Sequence, residues 1–320
     1  MSERMKAVIF DKNLHIEQVP KPDCTPDEVL IKVSKAGICN TDHEILRGFI
    51  PGFRGIPGHE FIGTVEEAED SELIGMLVTA EINCACGSCE YCQRGLGRHC
   101  PNRTTIGIMN RPGAFAEYIL VPKENLVLIP DTIPETRVLF IEPLAAALEI
   151  LEQVSITSES KVLLFGDGKL GLLIGHVLAS TECRLTVVGR SPEKLAHLDY
   201  PEVEKVLVSE YTDGKYDIVI EATGNASAFE RALHNVKPRG ALVIKSTYAG
   251  NFAFNPSRIV VDEITMVGSR CGLFSNAVDF LNNNDIPLER MISGEFPLDE
   301  AVQAFAMSAR PETLKIILRM

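Results

Sequence analysis

Short apolar runs broken by Gly and Pro fill the first third of the chain. Residues 6–10, 29–36, 61–66, 77–80 and 116–121 have the length and punctuation of β-strands rather than helices. This third predicts a β-rich domain. From Lys161 the character changes: 162–165, 185–188, 205–208, 218–220, 242–244 and 264–267 are apolar runs of the fully buried strand type. Helical patterns at 170–178, 192–198 and 226–236 stand between several of them, the alternation of a parallel sheet with helices on its faces. Residues 209–216 are too few for an ordinary crossover helix, so a trimmed helix or a turn is expected there. Beyond Gly272, helices are expected at 276–282 and 298–307 and a strand at 314–318.

The predicted class is therefore α/β, a β-rich domain joined to a doubly wound parallel sheet. At 320 residues and 45% hydrophobic content, the chain suits two globular domains. A formal net charge of -13 argues against a nucleic-acid backbone or an anionic membrane surface as the main partner. No run approaches the ~20 apolar residues that span a bilayer, and residues 1–10 lack an apolar secretion core, so a cytoplasmic protein is expected.

Nine cysteines sharpen the picture, because five crowd into 84–100. Cys86, Cys89, Cys92 and Cys100 follow C-x2-C-x2-C-x7-C, a spacing that lets four thiolates close around one zinc ion from a single loop. Gly87, Gly95 and Gly97 let the chain fold back between them. Thiols kept as ligands fit a reducing compartment.

Gly166-Asp167-Gly168-Lys169-Leu170-Gly171 follows a predicted strand and opens a predicted helix, the context a dinucleotide fingerprint requires. The first glycine permits the turn, the second admits the pyrophosphate and the third lets helix and strand pack. Cofactor choice is read at the end of the second strand, where an Asp or Glu would hold the adenosine ribose. Gly189 stands there, followed by Arg190 and Ser191. A guanidinium and a hydroxyl can hold a 2′-phosphate, so NADP(H) is expected over NAD(H). Ser191 can equally cap a helix begun by Pro192, with Arg190 solvated.

Three further constellations offer metal-binding side chains: residues 37–42 with Cys39, residues 58–60 with His59 and Glu60, and residues 141–143 with Glu142. Three protein ligands leave a zinc position open for water or substrate. Taken singly, His59 reads as a core histidine and Cys39 as a small buried apolar residue.

These motifs, in this order along the chain, make it similar to the zinc-dependent medium-chain dehydrogenase/reductase family over nearly its full length. The resemblance implies a GroES-like catalytic domain at 1–143, with the zinc lobe at 84–100, interrupted by a Rossmann domain at 144–268 and resumed at 269–320. The active site would lie in the cleft between them. Cys39 and His59 match the catalytic-zinc ligands, and Glu60 and Glu142 match acidic positions that ligate zinc or exchange with water. A glutamate at 142 resembles the polyol, sugar and threonine dehydrogenases; classical alcohol dehydrogenases carry cysteine there. Thr41 matches the hydroxyl that relays the alcohol proton, Asp42 an acid that orients His59, and His43 or Glu44 could continue the relay. The implied enzyme holds one catalytic and one structural zinc per chain and transfers a hydride between a small alcohol or polyol and NADP(H), as a homodimer or homotetramer. A zinc-independent quinone or enone reductase on the same fold, and an NADPH-binding protein without turnover, are the alternatives. Asn40 beside the ligand cysteine, the short 66–77 segment with Met76, and the trimmed 209–216 link depart from the family pattern. Arg270, near the predicted return to the catalytic domain, could approach the cofactor or form a plain salt bridge.

Overall fold

The computed structural model describes residues 3–48, 50–248 and 251–320. The chain divides into two units, one formed by Met1–Glu142 with Phe274–Met320 and the other by Pro143–Leu273.

The first unit is built around the eleven-residue strand Glu28–Ile38, whose Val29, Leu30, Ile31, Ala36 and Ile38 are fully buried. Glu60–Ala68 pairs antiparallel along one side of it. Along the other side, Tyr118–Pro122 pairs with its first half and Lys315–Arg319 with its last. Leu77–Ala80 and Leu126–Leu128 extend the sheet beyond Glu60–Ala68, and Ile292–Pro297 extends it beyond Lys315–Arg319. The register sets Gly37 opposite Glu60 on one neighbour and opposite Ile317 on the other. The chain then leaves the strand at Ile38 and enters helix Asn40–Leu46 with Cys39 as its cap.

The second unit is a six-stranded parallel sheet in the order Glu204–Leu207, Arg184–Gly189, Lys161–Phe165, Tyr216–Glu221, Val236–Ile244, Thr265–Gly268. In sequence terms this is 3-2-1-4-5-6, the doubly wound order that leaves a binding crevice beside the first strand. Helix Lys169–Ala179 links the first two strands, and Ala226–Asn235 precedes the fifth. No helix joins the third strand to the fourth. Instead the buried Asn235 side chain holds the loop, its Oδ1 accepting from Tyr211 Oη and Gly214 N, both at 2.7 Å. One amide thus satisfies backbone that a crossover helix would otherwise have paired internally.

Some boundaries differ from the sequence pattern. Helix Pro192–Leu195 stops three residues short of 198, because His197 and Leu198 close tighter turns onto Lys194 and Leu195. Likewise 298–307 opens as a 3₁₀ turn, Leu298–Glu300, before helix Ala301–Ser308. Helix Ile141–Gln153 lies outside the elements the sequence pattern predicts; its Pro143 falls in the first turn, where a proline is tolerated. Among the described residues no helix is long and apolar enough to cross a membrane.

Candidate active site

Within the first unit, strand pairing and one helix cap bring Cys39, His59 and Glu60 together, with one ligand atom of each within 4.8 Å of the others. Asp42 ties the first two in place. Its Oδ2 accepts the Cys39 backbone N–H at 2.8 Å, closing the cap of helix Asn40–Leu46, and its Oδ1 faces His59 Nδ1 at 3.4 Å. One fully buried carboxylate therefore orients both neighbours, leaving His59 Nε2 as the ring nitrogen that Asp42 does not face.

Burial alone would lower the His59 pKa, but the Asp42 carboxylate and then Cys39 outweigh it and hold the imidazole well above its ordinary value. A metal ion arriving here would displace that proton and take its place between the same anions.

Lys315, in the last strand, is a resident of this site that the sequence pattern did not mark. Its ammonium forms an ion pair with Glu60, the two side chains being 3% and 1% exposed. Burial would lower its pKa, yet Glu60 first, then Cys39 and Glu142, raise it. Glu142, in the first turn of helix Ile141–Gln153, lies outside the three-residue set, and its charge reaches Lys315. Gly37 makes this crowding possible: a Cβ there would stand 2.7 Å from Glu60 Oε2 and 3.2 Å from Lys315 Cδ. Thr41 Oγ1 is 3.7 Å from Cys39 Sγ. Of the two proposed relay continuations, His43 Nε2 meets Ser308 Oγ at 2.7 Å and Glu44 pairs with Arg47 at 2.7 Å.

A soft sulfur, an imidazole and a carboxylate on one point suit zinc, and a cation behind the carboxylate keeps the set from accumulating negative charge.

The lobe forms a second cluster. Sγ separations are 3.5 Å for Cys86–Cys100 and Cys89–Cys92, 3.7 Å for Cys89–Cys100 and 4.0 Å for Cys86–Cys92. Thiolates about 2.3 Å from a tetrahedral zinc stand about 3.8 Å apart, so the four fit one ion. The backbone N–H groups of Ser88 and Cys89 pull the Cys86 thiol down to about 5, while burial and the neighbouring sulfurs push Cys92 up to about 12. Cys84, the fifth clustered cysteine, is buried outside the set.

In the second unit Gly166 turns at φ 128° with its N–H on Val188 O at 2.9 Å, and a Cβ there would strike Ala222 O. A Cβ on Gly171 would lie 2.2 Å from Gly166 O, so helix and strand require glycine at both ends of the fingerprint. Gly168 caps helix Lys169–Ala179 and has open space where its side chain would be. That opening, at the positive end of a helix, suits a pyrophosphate. Lys169 and Leu170 form its first turn. At the end of the second strand Gly189 is buried, Arg190 exposed, and Ser191 caps helix Pro192–Leu195 through Lys194 N at 3.2 Å. Lys245 Nζ donates to Arg270 O at 2.9 Å and to Ala146 O, holding the segment that carries Arg270.

Comparison with known proteins adds sequence likeness to this geometry. Residues 25–131 match the model for the alcohol dehydrogenase GroES-like domain and residues 170–283 that for zinc-binding dehydrogenase. An L-threonine 3-dehydrogenase of Mesorhizobium japonicum is 30% identical over 292 residues, 84% of each chain. The erythritol/L-threitol dehydrogenase of Mycolicibacterium smegmatis is 29% identical over 356 residues, 99% of this chain and 98% of that one. A zinc-binding dehydrogenase of Sinorhizobium meliloti, solved bound to NADP, superposes with a TM-score of 0.91 at 30% identity, covering all of both chains.

Proposed function

The chain belongs to the zinc-dependent medium-chain dehydrogenase/reductase family, and from that footing we propose that it is an oxidoreductase of alcohols or polyols. It exchanges a hydride with a nicotinamide dinucleotide and converts the alcohol to the matching aldehyde or ketone, or the reverse. The observation that carries this reading is the convergence of Cys39, His59 and Glu60 beside Thr41, with Lys315 behind them. Named relatives that oxidise threonine, tetritols and arabinitol support a hydroxyl-bearing small molecule as the substrate class.

Zinc bound by Cys39, His59 and Glu60 or Glu142 would act as a Lewis acid toward the substrate oxygen, lowering the cost of removing its proton. Thr41, its Oγ1 3.7 Å from Cys39 Sγ, supplies the hydroxyl that accepts this proton and passes it on. Asp42 fixes the tautomer and direction of His59 and the start of the helix that carries Cys39. Lys315 offsets the charge of Glu60, so the ligand set carries less net negative charge and leaves a bound cation more electrophilic. Gly166, Gly168, Lys169, Leu170 and Gly171 form the pyrophosphate cradle, and the exposed Arg190 attracts a 2′-phosphate by charge, so that NADP(H) is accepted. Two zincs per chain, one here and one in the lobe, and a homodimer or homotetramer in a reducing cytoplasm complete the reading.

Zinc content per chain by elemental analysis, paired with NAD+ and NADP+ reduction across primary, secondary, polyol and sugar alcohols, tests it. Two zincs and turnover are expected. One zinc without turnover on any alcohol, with intact nucleotide binding, would instead favour a nucleotide-binding protein whose first unit is idle. Cys39→Ser and His59→Ala should each abolish turnover, and unchanged turnover would favour the zinc-independent reductase.

A further inference from the structure

The acid missing from the end of the second strand has been supplied from elsewhere. Gly189 occupies the position where a doubly wound fold presents Asp or Glu to the adenosine ribose. A Cβ added to Gly189 would lie 2.7 Å from Asp167 Cβ, 2.8 Å from its Oδ2 and 2.9 Å from its Cγ. The volume of the absent side chain is thus filled by the carboxyl group of Asp167, which comes from the first gap of the glycine fingerprint. Asp167 is 7% exposed, and its Oδ2 accepts the backbone N–H groups of Arg190 at 2.6 Å and Ser191 at 2.7 Å.

Three consequences bear on the ribose. The two amides at the strand end that could have bound a phosphate oxygen are already taken by a carboxylate. A carboxylate accepts a hydrogen bond from a 2′-hydroxyl and repels a 2′-phosphate. Finally, the Ser191 hydroxyl donates to Glu193 Oε2 at 2.7 Å while capping Lys194 N, which brings a second carboxylate to the same turn. Arg190 is exposed and pulls the other way, since a guanidinium attracts a 2′-phosphate.

We propose that Asp167 is a cofactor-specificity residue that replaces the strand-end acid, receiving the 2′-hydroxyl of NAD(H) and opposing the 2′-phosphate of NADP(H). With Asp167 and Arg190 opposed, the site takes both dinucleotides. This rests on the reading of the second unit as a dinucleotide domain.

Calorimetric titration of the full-length protein with NAD+ and with NADP+ gives both dissociation constants without turnover. In the unaltered protein they are expected to lie within about tenfold of each other, a difference below about 1.4 kcal/mol. A hundredfold preference for either cofactor overturns the proposal. Asp167→Asn keeps an acceptor for the two amides and removes the charge, and is expected to shift the ratio of constants at least tenfold toward NADP+. Arg190→Ala, at an exposed position, is expected to shift it at least tenfold toward NAD+. If Asp167→Asn leaves the ratio unchanged, or weakens both cofactors equally, Asp167 serves only the loop and the proposal fails. If the unaltered protein binds neither dinucleotide, the dinucleotide reading itself fails, an outcome distinct from the others.

Discussion

Lys315 pairs with Glu60 across 255 residues of sequence, with both charges buried. The pairing follows from register: Glu60 sits opposite Gly37 on one neighbouring strand, and Lys315 begins the strand on Gly37's other side. Removing one charge strands the other. Lys315→Met is expected to destabilise the first unit by about 3 kcal/mol, because an uncompensated carboxylate stays in a dry site. Lys315→Met with Glu60→Gln should recover most of the loss. Urea unfolding of the two variants checks this, and equal loss in both would show that the pair contributes packing only.

Gly37 should accept a side chain only at a cost, although its backbone needs no special conformation. The Cβ of Gly37→Ala would meet Glu60 Oε2 at 2.7 Å and the Lys315 stem at 3.2 Å, forcing the pair apart. A loss of about 1–3 kcal/mol is expected together with reduced zinc affinity at Cys39, His59 and Glu60. Full zinc retention in a folded Gly37→Ala protein would show that the site yields without losing its geometry.

Asp42 contacts two candidate ligands at once, so its neutral variant separates charge from cap. Asp42→Asn retains an oxygen for the Cys39 N–H, bonded at 2.8 Å in the unaltered protein, and removes the anion facing His59. Zinc affinity should fall about 10- to 100-fold with the helix intact. Competition with a chromophoric chelator measures it, and an unaltered affinity would leave Asp42 as a cap alone.

Much of this arrangement was legible in the residues, and its limits have a physical origin. The glycine fingerprint and the cysteine lobe were readable because their requirements are local: a turn, a helix start, a few ångströms between sulfurs. Lys315 was not, because in Lys-Ile-Ile-Leu a single cation looks like the solvated end of a strand, and only pairing with Glu28–Ile38 brings it to Glu60. Asp167 stood in a gap of the motif where any residue is accepted. The signal available was Gly189 itself, a strand end without its acid, which asks where else a carboxylate could come from. The unexpected helix at Ile141–Gln153 shows the same limit, since a proline marks a turn or a helix start alike.

In the lobe, the four sulfurs share one ion or share nothing, so ligand loss should be all-or-none. Cys100 is fully buried, and its sulfur lies within 3.7 Å of both Cys86 and Cys89. Cys100→Ala should lower zinc content by one ion per chain and expose residues 86–100 to protease. Retention of both the ion and the protection would mean that three thiolates suffice.

His176 sets a pH limit on the second unit. It lies in helix Lys169–Ala179 at 1% exposure, with Nδ1 2.8 Å from Tyr200 Oη and no partner for Nε2. Burial, with His197 adding to it, pushes its pKa from 6.5 down to about 4. The unfolded chain therefore takes up a proton below pH 6.5 that the folded helix refuses until about pH 4. Stability from this residue is whole above pH 6.5 and drains away as the pH falls toward 4, at about 1.4 kcal/mol per pH unit and about 3 kcal/mol in all. His176→Gln cannot titrate, so its unfolding free energy should decline less steeply over this window than that of the unaltered protein. Parallel pH profiles for the two proteins would show that the folded helix admits the proton after all.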